Sequence, residues 1–337
     1  MQPPLKRGEL EQLAKFYSLD QRRIEMLFEL SGARPSRAEG LVFLGKLLRI
    51  GGILSLAASL VFFVAANWSR FEVFGRFALI ELVLVGCAVV ACIKPPPSFV
   101  GRGALFLAFV ATGGLLALFG QTYQTGADIY ELFLMWSLLG LPLVFVARWS
   151  VATAAWVLVL NLALLLFCGW QPAGGLLWSV LGGARFRTPP LFLGAAVLNV
   201  VLWFALENWR HEAAPAWVRR LLVSCAFGFG TWAGIMAAFD GGRLFQRMDI
   251  DPATLLGIAA IMVAVAWYTL KRREDIYPLA VVMGTFIIVG MAWVARLIEF
   301  ADEGALFVLA VWLIITSTVG SRILLALMRD WRARSAA

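Results

Sequence analysis

Apolar and polar positions along this chain follow two different patterns. In the first 48 residues Leu10, Leu13, Ala14 and Tyr17 recur at helical spacing, which predicts an amphipathic helix over about 6–17. Ser18, Leu19, Asp20 and Gln21 read as a capping box, with Ser18 accepting a backbone N–H and Gln21 reaching back. A second helix carrying Ile24, Leu27 and Phe28 is expected to end at Gly32. Pro35, Ser36 and Glu39 repeat the start signal and open a third helix that runs into an apolar stretch. From there on the chain consists of ten apolar runs, each near the length a bilayer core requires. They fall at about 49–67, 74–93, 101–120, 129–147, 149–168, 189–209, 217–239, 253–270, 276–296 and 304–327. Only Arg148, Trp149 and Ser150 divide the fourth from the fifth, so 129–168 reads as two spans joined by a tight hairpin.

This pattern predicts an all-α polytopic membrane bundle of about ten transmembrane helices behind a small N-terminal helical domain. Residues 1–48 form the cytoplasmic amphipathic domain, 49–327 the transmembrane bundle and 328–337 a basic cytoplasmic tail. Trp68, Trp149, Trp170, Trp209, Trp217, Tyr268, Tyr277 and Trp331 stand at the expected span ends, as interfacial belts do. The charged N-terminal stretch is too long for the n-region of a signal peptide, so no cleavage is expected. Residues 171–188 are apolar but too short to span, and read as interfacial or re-entrant. Gly230 with Gly234, Gly51 with Gly52, and Gly113 with Gly114 are expected to admit close helix neighbours. Pro142 is expected to kink the fourth span.

Composition agrees with the pattern. Of 337 residues 61% are apolar and only 15% charged, against roughly 25% charged in soluble domains, which excludes a soluble globular or disordered chain. The net charge of +8 is an orientation signal rather than a nucleic-acid footprint. With the N-terminus inside, 22 of the 29 Lys and Arg residues fall on the cytoplasmic side of ten spans and 7 on the other. Both termini are therefore expected in the cytoplasm. Cys87, Cys92, Cys168 and Cys225 lie in apolar runs without CxxC spacing and read as small hydrophobes. His211 alone cannot build a multi-His metal site, and the chain has no GxSxG. No metal site, cofactor, catalytic residue or nucleic-acid partner is expected.

Polar residues in lipid are costly, so their positions carry the functional expectation. Glu81 is the one acid well inside a span, and Arg76, five residues earlier, is a candidate to tie it. A second polar cluster follows the third span: Gln121, Tyr123, Gln124, Asp128 and Glu131, with Trp136 beyond them. Capping and the helix dipole account for Asp128 and Glu131 as N-cap and first-turn residues of the next span. They do not account for Gln121, Tyr123 and Gln124 at an apolar boundary. Glu81, Gln121, Tyr123, Gln124, Asp128, Glu131 and Trp136 are therefore the expected substrate-binding residues, suited to cations or hydroxyl-rich groups. Asn161 and Asn199, mid-span, are expected to hydrogen-bond across the bundle. Lys271, Arg272 and Arg273 read as an orientation anchor, with lipid headgroups as the alternative.

The run Gly120-Gln121-Thr122-Tyr123-Gln124-Thr125-Gly126, followed by Asp128, Leu132-Phe133-Leu134, Trp136 and Leu141-Pro142-Leu143, resembles a bacterial predicted-membrane-protein family. That family is known as domain of unknown function 2157. The charged helical head is similar as well, and the resemblance covers about residues 5–150. Related proteins carry Gly-Asp-Tyr where this chain has Gly126-Ala127-Asp128-Ile129-Tyr130. The resemblance implies the fold and a bacterial inner-membrane location, and supplies no activity. Three functions remain open. The first is transport or handling of a small or lipidic substrate through a polar site near the outer face. The second is an assembly or sensing role, with residues 1–48 recruiting a cytoplasmic protein partner. The third is a membrane enzyme acting on a lipid-linked substrate through Asp128 and Glu131. Oligomeric state is not expressed in the sequence.

Overall fold

The computed structural model describes residues 7–31, 37–66, 71–123, 126, 128–169, 189–208, 214–239, 252–272, 275–298 and 304–334. The segment 171–188, Gln124, His211 and the Gly32 and Pro35–Ser36 signals lie outside the described residues. Twelve helices and no strands occur among the described residues. In order they are α1 (Arg7–Phe16), α2 (Gln21–Leu30), α3 (Arg37–Ala66), α4 (Val73–Ile93), α5 (Phe99–Tyr123) and α6 (Ile129–Ala147). They continue as α7 (Ser150–Phe167), α8 (Pro189–Asn208), α9 (Ala216–Phe239), α10 (Pro252–Arg272), α11 (Ile276–Leu297) and α12 (Gly304–Arg334). Ten of these, α3 to α12, are long and apolar enough to cross a membrane. The protein is an all-α, multi-pass membrane bundle.

The chain divides into two compact units, Met1–Glu72 and Val73–Ala337. In the first, α1 and α2 pack on each other and α3 runs unbroken through residue 48. Leu10 and Ala14 are buried, whereas Leu13, Phe16 and Tyr17 are exposed. The connection differs from a capping box built on Ser18. Ser18 has a left-handed backbone with φ 46° and closes α1, its N–H reaching the Lys15 carbonyl at 3.2 Å. Asp20 starts α2 instead, its carboxylate accepting the Gln21 N–H at 2.7 Å.

In the second unit α4, α5, α6 and α7 pack in sequence, and α9 is the hub of the remainder, touching α7, α8, α10 and α11. The α6–α7 hairpin turns on Arg148, at φ 46°, and the extended Trp149, as the three-residue break requires. Close approach is set by glycine at particular places. The Trp136 indole of α6 occupies the space beside Gly113 of α5, and Phe109 of α5 occupies that beside Gly140 of α6. Gly230 faces Ala196 of α8, and Gly234 faces Val289 of α11. Gly51 and Gly52 meet no described residue of their own unit, and Gly114 has open space where a side chain would stand, so the close neighbour expected at Gly114 is not found among the described residues. Indole N–H groups lock neighbouring helices: Trp136 to the Phe109 carbonyl, Trp156 to that of Ser137, and Trp312 to that of Ile287. Apolar area in lipid cannot drive this association, so tight packing and such bonds carry it.

Candidate functional site

Charged side chains converge where α8 ends and α9 and α11 begin. Glu207 stands in the last turn of α8, a position the helix dipole disfavours for a carboxylate. Arg219 stands in the opening turns of α9, equally disfavoured for a cation. The antiparallel packing of the two helices brings the charges together and corrects both. Arg219 Nε lies 2.5 Å from Glu207 Oε2, and its Nη1 donates to the Ala214 carbonyl at 2.6 Å. Glu207 is only 7% exposed, where a carboxylate without a partner is costly.

One residue on, Arg220 reaches α11. Its Nη2 and Nε lie 3.1 and 3.4 Å from the two carboxylate oxygens of Asp275, and its guanidinium lies 5.3 Å from the centre of the Tyr277 ring. Asp275 is also the N-cap of α11 and accepts the Tyr277 N–H at 3.1 Å. A recess between these helices is lined by Trp203, Glu207, Arg219, Arg220, Thr269 and Asp275, among others. Its free space of about 20 Å³ is enough for about one water molecule.

From this end a polar row runs along the contact between α9 and α11. The Ser224 hydroxyl meets the Tyr277 hydroxyl at 2.7 Å, and Thr231 meets Thr285 at 3.0 Å. At the far end Arg296 donates to the Ala238 carbonyl and lies 5.7 Å from the centre of the Trp293 ring. Ser224, Thr231 and Ala238 are spaced at seven residues, the repeat that keeps one face on a parallel neighbour. The two helices are thus tied from one end of the span to the other. Beside them, Asn199 of α8 donates to Asn161 Oδ1 of α7 at 2.8 Å, the interhelical bond expected from the sequence.

The residues singled out in the sequence are distributed differently. Glu81 is exposed on α4 and has no ion pair among the described residues; Arg76 is half-buried in the first turn of the same helix. Tyr123 is 59% exposed, its ring 4.8 Å from that of Phe119 and 6.2 Å from that of Phe77. Phe77 and Glu81 are one turn apart on α4, so Tyr123 and Glu81 belong to one side of the α4–α5 pair. Gln121 is exposed, and so is Asp128, which occupies the N-cap of α6 without a side-chain capping bond. Glu131 accepts from the neighbouring Tyr130 hydroxyl at 3.3 Å. Trp136 turns away from this group, onto Phe109 and Gly113. The Glu207–Arg219 pair was not anticipated. Its signal was present: opposite charges just inside the facing ends of two consecutive apolar runs.

Residues 5–166 match the family model described as Predicted membrane protein (DUF2157), so this part of the chain is similar to that family. No curated protein and no solved structure matches the chain.

Proposed function

We propose that this is a multi-pass protein of a bacterial cytoplasmic membrane, with both termini inside, that moves a small or lipidic substrate. The orientation rests on the 22-to-7 partition of basic residues. The observation that carries transport is the polar row on α9 and α11, which continues from Arg220 and Asp275 to Arg296. Polar bonds between membrane helices contribute about 0.6 kcal/mol each, so this row holds the closed bundle weakly enough for the two helices to part. Paired hydroxyls one heptad apart then supply donors and acceptors to a substrate. The water-sized recess at the charged end is then the closed state of one mouth. Tyr123, Glu81 and Asp128 are polar groups of the opposite end of the bundle and remain candidates for the outer mouth.

The test is flux in proteoliposomes, with two probes: proton movement read by an internal dye, and transfer of a fluorescent phospholipid between leaflets. The wild type should move one of them. Thr231→Val with Thr285→Val should abolish movement while insertion is unchanged, and Glu81→Gln with Asp128→Asn should slow it. Movement of neither probe, or equal rates in all variants, would overturn the reading.

A second reading is favoured by the head. Phe16 and Tyr17 form an exposed edge-to-face pair with ring centres 5.2 Å apart, and Met26 is also exposed. Exposed aromatics on a charged helical pair suit a cytoplasmic protein partner. Deleting residues 1–40 should then remove partner capture without affecting insertion; retained capture would exclude it.

A further inference from the structure

Among the described residues of the second unit, three cations at one end of the α4–α7 group lack the carboxylate partners that the α8–α11 site has. Lys94 follows α4, Arg102 stands in the first turn of α5, and Arg148 joins α6 to α7. Chain segments 82–127 and 132–206 contain no Asp or Glu, so the four helices carry their acids only at Glu81, Asp128 and Glu131. Glu81 lies about 20 Å along α4 from Lys94, and Glu131 about 25 Å along α6 from Arg148. Among the described residues no side-chain bond or ion pair is made by Lys94, Arg102 or Arg148, and the Arg102 Nε atom is buried without a partner. A buried guanidinium N–H left unpaired is costly unless a ligand completes it.

The two turns are held side by side. Trp149 packs its indole 6.0 Å from the Phe99 ring and 5.9 Å from the Phe106 ring, centre to centre. Phe99, Arg102 and Phe106 are spaced as one stripe of α5, so Arg102 lies on the face that receives Trp149, next in sequence to Arg148. Lys94 is drawn in by its own turn. Its carbonyl accepts the Ser98 hydroxyl at 2.8 Å, the Ser98 oxygen accepts the Gly101 N–H at 3.1 Å, and the Lys94 carbonyl fills the space where a side chain at Gly101 would stand.

We propose that Lys94, Arg102 and Arg148 bind the phosphate of an anionic membrane lipid at the end of the α4–α7 group. Guanidinium groups take phosphate oxygens in pairs, and clustered bases at the mouths of membrane helices take lipid headgroups. The site stands at the ends of four apolar spans, where a headgroup arrives attached to its acyl chains and a soluble anion does not. This inference does not depend on transport.

The test is native mass spectrometry of the purified full-length protein, titrated with phosphatidylglycerol, with phosphatidylcholine of the same chains, and with inorganic phosphate. Phosphatidylglycerol should be retained over phosphatidylcholine. Arg102→Gln and Arg148→Asn should each lower its apparent affinity about fivefold. Asn tolerates the left-handed backbone of residue 148, so this variant keeps the hairpin if Arg102→Gln fails to fold. Arg322→Gln, an exposed base on α12, should change nothing. Equal retention of the two lipids, unchanged affinity in Arg148→Asn, or an equal loss in Arg322→Gln would overturn the site. Inorganic phosphate displacing the lipid at equal concentration would overturn its assignment to a lipid.

Discussion

Arg219 and Glu207 form an ion pair at 2.5 Å between the start of one membrane helix and the end of its antiparallel neighbour, each compensating a charge at the wrong end of a helix dipole. Removing Arg219 takes the ion-pair partner from a buried carboxylate, whereas Arg219 itself is partly exposed and keeps the Ala214 carbonyl. Arg219→Leu is expected to cost about 3 kcal/mol in reversible unfolding from mixed micelles, and Glu207→Leu less. The double variant Glu207→Leu with Arg219→Leu should recover most of that loss, because no uncompensated charge remains. A double variant as unstable as Arg219→Leu alone would show that the pair contributes more than mutual neutralisation.

Asp275 and Asp128 occupy equivalent places, one residue before a spanning helix, and differ in what their carboxylates do. Asp275 accepts the Tyr277 N–H and pairs with Arg220; Asp128 makes no capping bond. Asp275→Ala should therefore destabilise by about 1–2 kcal/mol. Asp128→Ala should stay within about 0.5 kcal/mol. Chemical denaturation of both variants in the same detergent makes the comparison. Equal costs would mean that the dipole interaction, and not the bond, dominates.

Trp136 can be tested as packing or as a binding group. Its indole donates to the Phe109 carbonyl at 2.8 Å and fills the space at Gly113. Trp136→Phe should lower stability by about 1 kcal/mol through the lost bond, and Gly113→Leu should do more damage by displacing the ring. Neither should alter flux per folded molecule. A flux defect in Trp136→Phe at unchanged stability would restore Trp136 to the binding site.

The helices were legible because each span is an apolar run of bilayer length bounded by charge or glycine. The run at 129–147 coincides with α6, and the Arg148 break is the hairpin. The partnerships were less legible. Ser224 meets Tyr277 across 53 residues and Thr231 meets Thr285 across 54, because α9 packs against α11 as well as against its sequence neighbours. Hydrophobic periodicity marks which residues are apolar, and says nothing about which helix lies opposite. Glu207 and Arg219 escaped notice for a related reason: charges at span ends read as boundaries until geometry shows them buried. Ser18 was misplaced because its left-handed backbone closes α1 and leaves the start of α2 to Asp20.

The amide pair in the middle of the bundle gives the sharpest contrast between single and double substitution. Asn199 is 0% exposed, and its Nδ2 donates to Asn161 Oδ1 and to the Ala195 carbonyl, while its own Oδ1 has no partner among the described residues. Asn161 in turn donates to the Val157 carbonyl within its own helix. In Asn199→Leu the Asn161 oxygen loses its interhelical donor and stays buried, which should cost about 1–2 kcal/mol. In the double variant Asn161→Leu with Asn199→Leu both buried acceptors disappear, and two apolar side chains of similar size meet between α7 and α8. The double variant should therefore be more stable than Asn199→Leu alone, measured by reversible unfolding in mixed micelles. If it is the less stable of the two, the orphaned Asn199 oxygen has a partner worth keeping, such as an internal water, and the pair is a hydrated polar site within the bundle.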